Sequence, residues 1–280
     1  MPAKSLVIFL LLALGAQEAR GWGHSVHQMV VDNARELLPR EVRGFFNTGA
    51  EALRDSVLEP DTVLRKEKGK SEARNHYLNL DLLEPYPFAG IPADLPAALS
   101  RFGEGKMARA GRLPWRLQEL IEQLTDDFKA WRLEAALIRA GHISHYIADA
   151  TQPLHGTVNY DGQKSCNLGI HQAFEYRLID RNLKMYRKAA REAQTPVVYL
   201  DHPAEWVLEL MIETYPLNKE ILRADRMAVD LVKKGEGDYF TVLDERLQGL
   251  VVEQLARAGT ATASCWMTAW INSGRVQLPD

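Results

Sequence analysis

His145 and Asp149 stand four residues apart in the run Gly141-His-Ile-Ser-His-Tyr-Ile-Ala-Asp-Ala-Thr-Gln-Pro-Leu-His155. On a helix this spacing turns both side chains to one face, where an imidazole and a carboxylate can grip one ion together. Pro153 stops such a helix, and the turn that it enforces lets His155 return towards the same place. A second pair of the same spacing, His171 and Glu175, follows in Gly169-Ile-His-Gln-Ala-Phe-Glu. Either pair alone describes an ordinary surface helix pair worth a few tenths of a kcal/mol. Two pairs and a returning histidine in so short a stretch point to a metal centre, and the donor types suit a borderline-soft ion such as zinc. His142, three residues before His145, reads as an interior or surface histidine or as a partner of the ligands.

The elements that must position these residues are helical. Apolar residues recur at three- and four-residue spacing in Val26–Leu38, Leu113–Leu124, Phe128–Ala148, Gln172–Met185, Trp206–Leu231 and Asp244–Ala258, and no run alternates with period two. Pro39, Pro114 and Pro153 mark boundaries, and the Pro- and Gly-bearing stretches 84–92 and 156–169 read as loops. No repeat or linker divides the chain, so the expected fold is all-α, a single compact multi-helix domain.

At the N-terminus Lys4 precedes the apolar run Leu6 to Leu14, and small residues stand at Ala19 and Gly21. That is the pattern of a cleaved secretory signal over 1–21, with a mature domain over 22–280 starting at Trp22. The run is too short to anchor in a bilayer, which needs about 20 apolar residues. The expected product is exported, secreted or periplasmic, with no stable membrane anchor and no obligate protein partner. Export leaves Cys166 and Cys265 open to two readings, one disulfide or two buried thiols. With 34 basic against 37 acidic residues, the chain carries no polycationic arm and no acidic tail.

The motif His145-Tyr-x-x-Asp149, followed by Gln152-Pro-Leu-His155 and Asn159, resembles the signature of the zinc-dependent phospholipase C and type I single-strand nuclease superfamily. The resemblance implies a mostly helical enzyme with three zinc ions, whose mature chain begins with a tryptophan that ligates through its amine and carbonyl. Trp22 stands where the signal segment ends. His27 lies five residues on, Asp61 follows in Glu-Pro-Asp-Thr, and His76 comes fifteen residues after Asp61. Carried over, the resemblance implies one zinc held by Asp61, His76, His145 and Asp149, and a second by His155, His171 and Glu175. The third is implied on the Trp22 main chain and His27, with Asp149 bridging. His24 competes with His27 for that role, but only His27 has the family's spacing from Trp22. The remaining 105 residues carry no motif and are expected to supply scaffold helices.

Three zinc ions against three carboxylates leave a positive site that invites a phosphate ester without any basic surface. The implied reaction is phosphodiester hydrolysis, in which zinc lowers the pKa of a water towards about 7 and hydroxide attacks phosphorus. Asp61 is the implied carboxylate that also orients or deprotonates the water. Glutamate at 175, the Gly169-x-His171-x-x-x-Glu175 frame and the shortage of early cysteines lean towards phospholipase C. The His76-Tyr77-Leu78-Asn79 stretch leans towards a single-strand nuclease releasing 5′-nucleotides, with Tyr77 stacking and Asn79 hydrogen-bonding a base. Arg65 is displaced from the family's phosphate-binding arginine, and Arg65 to Lys70 also reads as a solvated loop. Tyr86, Phe88 and Trp115 could wall an apolar entrance or lie in the core. A protein that has lost catalysis and keeps zinc only for folding stands as a third reading. The sequence holds no Gly-x-Ser-x-Gly elbow, no His-Glu-x-x-His and no Cys-x-x-Cys.

Overall fold

A long apolar helix, Leu133–Ala150, runs through the middle of the protein, and every residue from Ala140 to Ala150 is buried. The computed structural model describes residues 22–279. The segment read as a signal peptide lies outside them. Burial on all sides follows from the helices packed around this element: His24–Leu37, Ala50–Ser56, Leu113–Lys129 and the C-terminal Tyr239–Asn272. Regular structure among the described residues is helical, apart from an isolated antiparallel bridge between Leu78 and Gly111. The all-α, single-domain expectation therefore holds. No described helix is long and apolar enough to cross a membrane.

Apolar side chains gather in two cores. One contains Phe46, Phe128, Ile143, Tyr146 and Trp266; the other contains Trp22, Met29, Ala148, Phe174 and Leu255. The central helix feeds both, while its buried His145 and Asp149 belong to neither. Trp266, on the C-terminal helix, fixes the central helix by donating its indole N–H to the Ala140 carbonyl at 2.9 Å. Its ring stacks on Phe46 at 4.6 Å. The segment that carries no motif is thus scaffold, built from Pro203–Thr214, Leu217–Lys233 and Tyr239–Asn272.

The expected helix limits need correction in four places. The run over 244–258 is only the middle of the helix Tyr239–Asn272. The run over 128–148 is broken after Lys129, where Trp131 takes a positive φ of 55° and a new helix starts at Leu133. The run over 206–231 is divided at Pro216, which cannot continue the preceding helix. The run over 172–185 opens as a π-helical turn, Ala173–Leu178, and ends at Asn182 before Leu183–Glu192 begins. Pro153 does not simply end a helix but opens a short 3-10 turn, Pro153–Gly156, capped by Gln152.

Candidate metal centre

Eight of the ligating side chains expected from the sequence meet in three buried groups. His27, His145 and Asp149 form one, Asp61, His76 and His145 a second, and His155, His171 and Glu175 a third; in each, donor atoms lie within 4.8 Å of one another. Asp149 links them. Its Oδ2 is 2.9 Å from His76 Nδ1 and 3.4 Å from His145 Nε2, and its Oδ1 lies 3.7 Å from His155 Nδ1 and 4.0 Å from His27 Nε2. Glu175 Oε1 joins His171 Nε2 at 2.8 Å and His155 Nε2 at 3.1 Å.

Local backbone explains how each group arrives. Asp61 and Glu175 both sit on π-helical turns, Pro60–Leu64 and Ala173–Leu178, a wide winding that recurs at functional sites. His76 and His155 are tied together because the Leu78 N–H donates to the His155 carbonyl at 3.1 Å while His155 Nδ1 meets the His76 carbonyl at 2.7 Å. His145 Nδ1 meets the Val57 carbonyl at 2.8 Å, and His171 Nδ1 the Tyr160 carbonyl at 3.1 Å. A carbonyl accepts only from N–H, so these three rings carry their proton on Nδ1 and turn a lone pair on Nε2 inward. The chain sets the tautomer needed for ligation.

Gly141 makes the Val57 contact possible. A glycine inside a helix costs about 1 kcal/mol relative to alanine, so it calls for a packing reason. Here a Cβ would stand 2.1 Å from Ser56 Oγ and 2.9 Å from the Val57 nitrogen. Gly141→Ala is therefore expected to destabilise the protein by about 1–3 kcal/mol through overpacking and to push Val57 away from His145. Thermal unfolding, with the His145 ring protons followed by NMR, checks both; an unshifted His145 signal would separate Gly141 from the site.

The fit of a metal is tested by the polar atoms left over. Both nitrogens of His27, His76 Nε2, both carboxylate oxygens of Asp61, Asp149 Oδ1 and Glu175 Oε2 are buried without a hydrogen-bond partner. Native interiors seldom leave such atoms unpaired, and each costs about 1–3 kcal/mol. Their grouping around shared histidines is what a set of cations would satisfy. The residues present fit zinc in donor type: imidazole and carboxylate.

Protonation agrees with this. Burial holds His27 and His145 well below the ordinary histidine range, helped by His145 beside the first and His76 beside the second, so both are neutral donors. Burial pushes Asp149 up. Burial would also raise Glu175, but His171 and His155 beside it bring it below the usual carboxylate range. His76 differs: burial works against its charge, yet the carboxylates of Asp149 and Glu72 beside it outweigh burial and lift the ring from 6.5 to about 9. A group raised on folding contributes stability that is complete below its unfolded pKa and lost as pH climbs through the folded value. The metal-free protein is thus expected to melt at a lower temperature at pH 9 than at pH 6.5. A flat melting profile across that window would show that His76 holds no extra proton.

Trp22 is buried, with its indole N–H on the Ala148 carbonyl at 2.8 Å and its ring 5.3 Å from Phe174. It therefore sits beside the Asp149 end of the central helix. His24 is exposed, whereas His27 is buried beside His145 and Asp149. His142 bonds Glu59 at 2.8 Å and joins none of the three groups. Tyr77 and Arg65 are half-buried. Burial raises the Tyr77 hydroxyl, and the Arg74 and Arg65 cations nearby oppose it. Asn79 instead donates to the Arg109 carbonyl at 3.3 Å. Asn159 organises the following loop, accepting from the Lys164 N–H at 2.7 Å. Phe88 and Trp115 belong to the core, and Tyr86 is exposed against Tyr215. Both cysteines are free, which overturns the disulfide reading, and the buried-thiol reading holds for Cys265 alone because Cys166 is exposed.

Two contributors carried no motif: Tyr160 packs edge-on to His171 at 5.6 Å, and Glu72 lies 3.6 Å from His76 Nε2. Gln152, which stands in the motif without an assigned role, donates its amide to Glu175. Glu72 had a visible signal, since it stands four residues before His76, the spacing that marked the other pairs.

Fold and site together define an all-helical protein with three linked, buried histidine–carboxylate groups able to hold metal. No family model matches the chain. In structure it is similar to the alpha toxin from Clostridium absonum, with a TM-score of 0.52 and 13% identity over 90% of this chain and 64% of that one. In sequence it is similar to a protein named "Probable serine protease" from Bradyrhizobium tropiciagri, 23% identical over 195 residues. That match covers 61% of this chain and 25% of the relative. The chain thus spans a quarter of the curated relative and just under two thirds of the toxin. The likeness to the toxin is one of fold.

Proposed function

We propose that this protein is a zinc-dependent phosphodiester hydrolase of the phospholipase C type. The observation that carries the reading is the set of orphaned, buried donor atoms shared among three histidine–carboxylate groups around Asp149. One zinc is assigned to Asp61, His76, His145 and Asp149, a second to His155, His171 and Glu175, and a third to the Trp22 main chain and His27 with Asp149 shared. Bound there, zinc supplies the positive charge that attracts a phosphodiester and activates water for attack at phosphorus.

The chain's own residues do the rest. Nδ1–H bonds to Val57, His76 and Tyr160 carbonyls hold His145, His155 and His171 in the orientation that ligation needs. Asp61 has two unpartnered oxygens and is the assigned acceptor for the water's proton. Arg65, half-buried and four residues after Asp61, is the assigned cation for a substrate oxygen. Glutamate at 175 and the free cysteines favour the phospholipase reading. The single-strand nuclease reading is supported by the exposed Tyr160 ring, edge-on to His171 at 5.6 Å, an aromatic surface beside the site on which a base could stack.

The experiment is metal analysis of protein beginning at Trp22, followed by assays on phosphatidylcholine vesicles and on single-stranded DNA and RNA. Three zinc per chain with lipid turnover is the expected result. Turnover of nucleic acid alone selects the nuclease. Bound zinc with no turnover of either selects a metal-stabilised helical protein, and fewer than two bound ions ends the trizinc reading. Export, secreted or periplasmic, belongs to the same proposal and is checked by mapping the N-terminus of the mature protein.

A further inference from the structure

We infer that Glu72 is a positioning carboxylate for the Asp61–His76 metal group, the fourth negative charge of the centre. The inference rests on the metal reading above. His76 is oriented unlike the other ligating histidines. Its Nδ1 faces inward, 2.9 Å from Asp149 Oδ2 and 3.1 Å from His145 Nε2, so its Nε2 points out of the cluster. There no carbonyl waits, as one does for His145, His155 and His171; the nearest acceptor is the Glu72 carboxylate, whose Oε1 stands in ion-pair contact at 3.6 Å, just beyond hydrogen-bond reach. Glu72 is only 1% exposed, and its other contacts keep it in place: Asn75 donates to Oε2 at 3.1 Å and the Tyr146 hydroxyl donates to Oε1. Arg116 lies over the Tyr146 ring at 5.9 Å.

A carboxylate on the outer nitrogen of a ligating histidine fixes the ring and raises its basicity towards the metal. It also changes the charge of the site. With Asp61, Asp149 and Glu175 alone, three zinc ions leave a large positive excess; Glu72 removes one further unit without occupying a coordination position. Burying a carboxylate away from water is costly without such a role.

Glu72→Gln is the test, because the amide keeps the shape of the side chain and removes its charge. Zinc affinity of one equivalent is expected to fall by about tenfold to a hundredfold, read by competition with a chelator, while the other equivalents stay unchanged. In cobalt-substituted protein the visible bands of one equivalent should shift. Metal-free melting is followed in parallel. Unchanged affinity and spectrum overturn the inference, and so does a lower metal-free melting point with affinity intact, which would mean a structural role only. Should the Gln variant not fold, Tyr146→Phe removes the hydroxyl that holds Glu72. A weaker zinc equivalent there supports the inference and an unaltered one overturns it. Wild-type protein that takes up no zinc defeats the metal reading itself, an outcome distinct from a Gln variant that binds as wild type does.

Discussion

Asp149→Ala is expected to strip two of the three zinc equivalents together and to lower phosphodiester turnover by about a thousandfold or more. The direction follows from where the carboxylate sits. Its two oxygens approach His27, His76, His145 and His155, four histidines drawn from separate parts of the chain. A metal acting as Lewis acid contributes several kcal/mol to the transition state, and each 1.36 kcal/mol is about tenfold in rate. The group of His155, His171 and Glu175 should retain its ion, because Glu175 Oε1 is held by both histidines without Asp149. Metal analysis of the variant beside its turnover checks the result. Full metal content with full activity would mean that Asp149 does not bridge.

Helix-face spacing makes part of this site legible in the sequence. His145 with Asp149 and His171 with Glu175 are i,i+4 pairs, and the fold closes both, at 3.4 and 2.8 Å. Asp61, His76 and His27 could be placed only by resemblance, because their meeting depends on tertiary packing: Gly141 letting the central helix approach Val57, and Leu78 hydrogen-bonding to His155. Periodicity also finds the long helices and misjudges their breaks. Trp131 takes a positive φ that no neighbour in sequence announces, and the π-helical turn that carries Glu175 keeps an apolar pattern close enough to an α-helix to pass for one. Pro216 is a legible break, masked by the apolar residues on both sides of it. Tyr160 contributes its carbonyl to His171, and a main-chain atom leaves no mark on side-chain patterns.

Metal removal is the second large effect. A ligand present at a thousand times its Kd stabilises the folded state by about 4.1 kcal/mol. In a chain approaching this size each kcal/mol moves Tm by about 2–4 °C. Each saturated group therefore accounts for a Tm difference on the order of 10 °C. Dialysis against a chelator should bring the protein down by that amount for each ion lost. Complete unfolding is not expected, because both apolar cores close through side chains that hold no metal: Trp266 stacks on Phe46 in one, and the ring of Trp22, whose assigned ligation is by its main chain, packs against Phe174 in the other. The loss should be local and reversible, centred on the turns that carry Asp61 and Glu175, whose unpartnered oxygens regain water when those turns open. Hydrogen exchange of the metal-free protein should accordingly quicken over 60–64 and 173–178 while the Tyr239–Asn272 helix stays protected. An unmoved Tm, or exchange that quickens evenly through the C-terminal helix, would show that the buried histidines and carboxylates are held by packing alone.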